Sequence, residues 1–349
     1  MSEIKSQNIC PYCKDEIQEP CRVSCCGITA CKKCLYLHVE RAESRVKIMD
    51  GAVCVGCSVR FGKLHIQQIS NPDFAKSSSK SESKFISSAP GCKTYGIASF
   101  NGITYMSNIG RDTIMKKTIS EDGKIEAAGI LKLDNIKLSG LAIDEEEKLL
   151  FVTDIVSPKI FTNILDNSVV RTIETVNNNV VENKKFSKPI RISLDIPRKR
   201  MIVTDLTGHT VTVLMYDGTF VEEITGFRYP YDAIVKGDNL YVADSDHYRV
   251  AEYGLRNGRY ELVRFIGEHV LNCPVSLTII GNNLFVADEY ASTVQVFPLD
   301  NRYNYVIGSC GRADGLFIEP AAVSSYRGKL IVMDTTGRDG PHKMNLFSN

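Results

Sequence analysis

Nine of the twelve cysteines fall between Cys10 and Cys57. Six form pairs at one spacing: Cys10-x2-Cys13, Cys31-x2-Cys34 and Cys54-x2-Cys57. Between the first two pairs stand Cys21 and the adjacent Cys25 and Cys26. A two-residue spacer lets both thiolates of a pair turn toward one ion, and zinc takes four such ligands in a tetrahedron. Three pairs and two further cysteines supply eight ligands, enough for two Zn2+ per chain. A catalytic thiol would instead need one cysteine of depressed pKa beside a histidine. The segment is about 60 residues long and poor in apolar side chains, so metal must contribute to its folding.

The surroundings fit that reading. The start, MSEIKSQNIC, lacks the apolar core of a secretory signal, and no 18 apolar residues run together. The expectation is a reducing compartment, cytoplasm or nucleus, with no membrane span, where clustered cysteines bind metal rather than pair. Cys92, Cys273 and Cys310 lie apart and read as buried or unligated thiols. The net charge of +1 gives no global argument for nucleic acid.

With 349 residues, 43% of them hydrophobic, the chain holds more than one domain. Residues 1–70 form the zinc-binding domain, and residues 71–84, NPDFAKSSSKSESK, read as a flexible linker. Residues 85–349 are a β-rich repeat. Six apolar strands there end in Asp or Asn: ITYMSN (103–108), LLFVTD (149–154), RMIVTD (200–205), NLYVAD (239–244), NLFVAD (283–288) and KLIVMD (329–334). Their ends are separated by 46, 51, 39, 44 and 46 residues, the period of propeller blades. An apolar strand precedes each, and turns such as DGT (217–219) and RNGR (256–259) lead to a fourth. The fold class is mainly β: a small zinc module and a six-bladed β-propeller. The last unit lacks an outer strand, which Lys84–Ser87 is expected to supply by closing the ring.

The segments CPYC, EPCRVSCCGITACKKCL and CVGC resemble a RING finger, and YPYDAIVKGDNLYVADSDHYRVAEY resembles an NHL repeat. Together they resemble the tripartite-motif NHL ubiquitin ligases without B-box or coiled coil, so no coiled-coil dimer is expected. The first resemblance implies that Cys10, Cys13, Cys31 and Cys34 hold one zinc. Cys54 and Cys57 would hold the other, with two ligands from Cys21, Cys25 and Cys26; Cys25 and Cys26 complete the favoured set. Ile28 stands where the family has a histidine ligand, which points to all-cysteine ligation, with His38 as the alternative donor. A RING domain has no nucleophile. It binds a ubiquitin-conjugating enzyme, here through Tyr12, Leu35 and Val55, and favours transfer of the thioester-linked ubiquitin. Tyr12 and Val55 depart from the family's residue types, and Ser58 stands where it often has a basic residue.

The implied function is a RING-type ubiquitin-protein ligase, a transferase whose propeller binds the protein target. The alternative is a non-catalytic RNA- or protein-binding scaffold with a structural zinc module. For RNA the candidate patch is Lys184, Lys185, Arg198, Lys199 and Arg200, with Phe227, Arg228 and Tyr229 as a second. Residues 94–349 carry 28 basic and 32 acidic residues, so any phosphate grip must be local. The Asp that ends each repeated strand reads as architecture, because it recurs in every unit but the first.

Overall fold

A computed structural model describes short strands within residues 20–85. From residue 94 to 347 it describes all but 109–111, 121–123, 134–135, 157–158, 165–171, 174–185, 269, 301–303, 312–314 and 336–341. In the N-terminal part, β1 (Pro20–Val23) pairs antiparallel with β2 (Thr29–Cys31) and β5 (Ile66–Gln68), and β3 (Ala52–Val53) with β4 (Arg60–Phe61). Strand β6 (Ser81–Phe85) then joins the last blade described below.

Six four-stranded antiparallel sheets follow. Blade 1 is β7 (Thr94–Phe100), β8 (Ile103–Asn108), β9 (Thr113–Ile119) and β10 (Ile125–Lys132). Blade 2 is β11 (Leu138–Asp144), β12 (Leu149–Asp154), β13 (Lys159–Ile164) and β14 (Thr172–Ile173). Blade 3 is β15 (Pro189–Asp195), β16 (Arg200–Asp205), β17 (Thr210–Met215) and β18 (Phe220–Ile224). Blade 4 is β19 (Pro230–Lys236), β20 (Asn239–Asp244), β21 (Arg249–Arg256) and β22 (Arg259–Ile266). Blade 5 is β23 (Pro274–Ile280), β24 (Asn283–Asp288), β25 (Thr293–Pro298) and β26 (Tyr305–Ile307). Blade 6 is β27 (Glu319–Tyr326), β28 (Lys329–Thr335) and β29 (His342–Phe347), with β6 outermost. The chain is therefore mainly β and contains a six-bladed propeller. No helix among the described residues is long and apolar enough to cross a membrane.

The second strand of each blade is buried on both faces, which is why it is an unbroken apolar run rather than an alternating one. In NLFVAD, Leu284 and Val286 pack toward blade 4, while Phe285 and Ala287 pack toward blade 6. Equivalent clusters fill each of the six junctions between neighbouring blades, including the one between blades 6 and 1, where Met106 and Ile119 meet Tyr326, Ile331 and Met344. Truncating a buried aromatic such as Phe285 to alanine typically costs about 3–5 kcal/mol.

The ring closes as a shared sheet. Strand β6 runs antiparallel to β29, with Ser81 opposite Phe347, Ser83 opposite Asn345 and Phe85 opposite Lys343. The closing strand thus begins three residues before the expected Lys84 and takes its first four residues from the stretch read as linker. Ser/Lys-rich composition hid it, because on an outermost strand the backbone ladder can stabilise what apolar burial does not.

Candidate functional site

Each inner strand starts beside the end of its blade's second strand: Pro189 opposite Asp205, Pro230 opposite Asp244, Pro274 opposite Asp288. The loops that enter the inner strands therefore share one face of the ring with those that leave the second strands. The turns between first and second strands lie on the opposite face.

The repeated aspartates hold the first face together. Asp205 accepts the Ser187, Lys188 and Gly208 amides at 2.6, 2.7 and 3.0 Å. Asp288 accepts those of Asn272 and Cys273 at 2.8 and 2.7 Å, and Asp334 those of Ile318 and Glu319. Asp244 accepts the Arg228 amide at 2.7 Å and the Arg249 Nε at 3.1 Å. Burial pushes the Asp288 carboxyl up to about 6 and that of Asp334 to about 7, partly offset by these donors. The architectural reading of the repeated Asp therefore holds for these blades: each carboxylate satisfies loop amides that would otherwise lack partners.

The channel carries a second polar system that sequence reasoning missed. Two residues after the proline that begins β15, Arg191 projects toward the axis. Its Nη2 donates to the Ala321 carbonyl at 2.9 Å, on the blade opposite its own, and its Nη1 lies 3.9 Å from Asp232 Oδ2. Both side chains are 7% exposed. Asp232 also accepts the Ser276 hydroxyl at 3.1 Å and the Leu277 amide at 2.9 Å, while Ser276 Oγ accepts the Val323 amide at 3.1 Å. Burial raises the Asp232 carboxyl above the ordinary range, with Arg191 pulling the other way. The network thus ties blades 3, 4, 5 and 6 near the loop face. At the matching position of blade 2 stands Gly140, where a Cβ would lie 2.6 Å from Arg191 Cα. The sequence signal was the repeat itself: Pro189-x-Arg191, Pro230-x-Asp232 and Pro274-x-Ser276 put opposite charges at one repeat position.

The basic run lies on the opposite face and is largely neutralised. Arg198 binds Asp195 at 3.2 Å, Asp238 and the Gly237 carbonyl. Lys199 lies 3.1 Å from both Asp144 and Glu147 and 5.6 Å from the Tyr216 ring centroid. The Asp144 bond leads in raising the Lys199 ammonium. Arg200 has its Nε and Nη1 buried without hydrogen-bond partners. Lys184 and Lys185 lie outside the described residues. On the same face an open pocket of about 330 Å³ lies between the inner strands of blades 4 and 5, lined by Ile234, Lys236, Thr278 and Gly281.

Arg228 and Tyr229 lie on the loop face. Tyr229 donates its amide to His209 Nδ1 at 3.0 Å, and its ring meets the His209 ring edge-on at 4.6 Å between centroids. Phe227, by contrast, is buried in the core between blades 3 and 4.

Of the zinc-ligand candidates, the described backbone includes only Cys31 in β2, and of the alternatives only Cys21 in β1. Cys10, Cys13, Cys25, Cys26, Cys34, Cys54 and Cys57, the contact residues Tyr12, Leu35 and Val55, and also Cys92, lie outside it. Among the described residues no group of three or more His, Cys, Asp or Glu side chains is placed to hold a metal. Cys273 and Cys310 are half-buried and form no disulfide.

No protein-family model and no curated protein sequence matches the chain. Solved structures do match. One is a candidate gluconolactonase at 14% identity and TM-score 0.59, covering 80% of this chain and 97% of that one. A second is a streptogramin B lyase at 14% identity and TM-score 0.53, covering 76% and 97%. A third is a nidogen/laminin complex at 20% identity and TM-score 0.51, covering 64% and 82%. At these identities the likeness is one of fold, and the fold is the six-bladed β-propeller.

Proposed function

We propose that the chain is a zinc-dependent RING-type ubiquitin ligase in which the N-terminal module recruits a ubiquitin-conjugating enzyme and the propeller holds the target. The observation that carries this reading is the set of three Cys-x2-Cys pairs within the first 57 residues, joined to a recognition-type ring. The donors suit zinc: thiolates in two-residue spacing, with Cys21 and Cys25–Cys26 to complete the count. Residues 24–28 and 54–59, which connect the antiparallel pairs β1–β2 and β3–β4, contain Cys25–Cys26 and Cys54–Cys57 respectively. Zinc in such a module staples the fold and takes no part in the transfer. Leu35, Tyr12 and Val55 would then form the surface that meets the conjugating enzyme. The recognition half draws support from the propeller, whose inner strands are tied by the Arg191–Asp232 network and whose entering and leaving loops share one face of the ring.

The test is direct binding. Zinc-loaded protein is titrated against a panel of ubiquitin-conjugating enzymes. Binding that disappears on chelation or in Leu35→Ala supports the reading. Undiminished binding after zinc removal, or none across the panel, favours the alternative of a non-catalytic scaffold.

A further inference from the structure

A proline opens the inner strands of blades 3, 4 and 5, and Pro320 stands second in that of blade 6. In blades 3, 5 and 6 the two residues before this proline give both their amides to the blade's aspartate. Ser187 and Lys188 bond to Asp205, Asn272 and Cys273 to Asp288, and Ile318 and Glu319 to Asp334. Blade 4 departs from this pattern. The Arg228 amide reaches Asp244 at 2.7 Å, but the Tyr229 amide is diverted to His209 Nδ1, on blade 3, at 3.0 Å. Asp244 Oδ2 meets His247 Nδ1 at 2.8 Å and Arg249 Nε at 3.1 Å instead.

The diverted residue is also strained. Tyr229 has φ 52°, whereas its counterparts Lys188, Cys273 and Glu319 keep negative φ. A following proline drives a residue toward extended conformations, and positive φ is costly for a bulky side chain. Two contacts with His209 hold Tyr229 in place: the amide bond, and the edge-on ring contact at 4.6 Å between centroids. Arg228 is fixed separately, since its carbonyl accepts the Asp246 amide at 3.1 Å and its Nε lies 3.2 Å from the Asp246 carboxylate.

His209 Nδ1 can accept a hydrogen bond only while it carries no proton, and imidazoles change charge between about pH 5 and 8. Protonation sets one N–H against another. The charged groups of the surrounding loops do not compensate. Asp205 is engaged by three amides, Asp246 by Arg228, and Asp244 by His247 and Arg249, while Lys188 and Arg228 are cations. His209 itself forms no ion pair among the described residues. His247 responds in the opposite sense, because its protonated ring still donates to Asp244.

We propose that Tyr229 is an acid-sensitive latch on the loop face, held to blade 3 by neutral His209 and released when His209 is protonated. The released residue takes the extended conformation of its counterparts, and its amide passes to Asp244. Tyr229 is 38% exposed, so the turn reshapes the surface between blades 3 and 4. The latch goes beyond the ligase reading and does not depend on it.

The experiment follows full-length protein, selectively labelled with 15N-tyrosine, by NMR from about pH 8 to about pH 5.5. The Tyr229 amide is assigned by its absence from the spectrum of Tyr229→Phe. Its resonance should move to a new position as pH falls, should no longer respond to pH in His209→Ala, and should respond as before in His247→Gln. His209→Gln, expected to be equally indifferent to pH, takes the place of His209→Ala if that variant does not fold by circular dichroism. A Tyr229 resonance unchanged across this range, a response that survives loss of His209, or one abolished by His247→Gln overturns the proposal.

Discussion

Replacing Arg191 with alanine removes the cation from a nearly dry pair and leaves Asp232 with its hydrogen-bond donors but no counter-charge. At 3.9 Å and an effective dielectric constant near 20, the lost attraction is about 4 kcal/mol. Breaking a buried pair from one side typically costs about 3–5 kcal/mol. In a propeller of this size that lowers the melting temperature by roughly 6–20 °C. Urea unfolding followed by circular dichroism gives the free energy, and Arg191→Met, Asp232→Asn and their combination complete a double-mutant cycle. The double variant should cost clearly less than the sum of the singles, because no uncompensated charge remains in it. Acidification adds an independent check. Asp232 has a folded-state pKa above its unfolded value, so the folded state holds the extra proton between those two values and stability falls as pH rises through that window. Without Arg191 the carboxyl is raised further, so the deficit of Arg191→Ala should shrink as pH is lowered. Single-variant costs below about 1 kcal/mol with additive behaviour would refute the view that this pair ties the blades across the channel.

Other expectations follow from the same geometry. A chain begun at residue 86 lacks β6 and leaves β29 an open edge; it should melt at least about 10 °C below a chain begun at residue 71, and equal melting would contradict ring closure by Ser81–Phe85. Gly140→Ala drives a Cβ to 2.6 Å from Arg191 Cα, a backbone contact, and should cost about 1–3 kcal/mol in urea unfolding. Asp334, pushed up to about 7 by burial, holds a proton in the folded state that the unfolded chain has released, so its contribution makes the protein less stable at pH 8 than at pH 5. Asp334→Asn should narrow that difference by up to about 3 kcal/mol, since roughly two pKa units separate pH 5 from the folded value at about 1.4 kcal/mol each, and an unchanged difference would contradict it. Asn108 already fills the equivalent position in blade 1, so the amide is compatible with the repeat.

The propeller was legible because its second strands are buried on both sides, and LLFVTD or NLFVAD can hardly be anything but central strands. The ends inferred from the repeat at 154, 205, 244 and 288 are those of β12, β16, β20 and β24. The closing strand was misplaced by three residues, because Ser81–Lys84 carries no apolar signal and its position depends on a ladder with residues 343–347 at the far end of the chain. The run Arg198–Arg200 looked like a phosphate grip for a similar reason. Asp144, Glu147 and Asp238, which neutralise Arg198 and Lys199, lie about 40 to 55 residues away in sequence and reach them only when blades 2, 3 and 4 come together. Arg191 and Asp232 passed as polar interruptions of apolar strands, since strand patterns show which side chains are buried but not which meet across a channel. The second candidate RNA patch, Phe227, Arg228 and Tyr229, is divided by the fold: Phe227 enters the core between blades 3 and 4, a burial its short polar-flanked run does not signal.

The most direct measurement is ubiquitin-chain formation by the purified full-length protein with activating enzyme, ATP and each member of a conjugating-enzyme panel. Zinc-dependent chains with at least one conjugating enzyme, abolished by Cys31→Ser/Cys34→Ser and by chelation, with two zinc ions per chain in the active preparation, are the predicted result. No chains with any member of the panel from protein carrying its full zinc complement would contradict the ligase account.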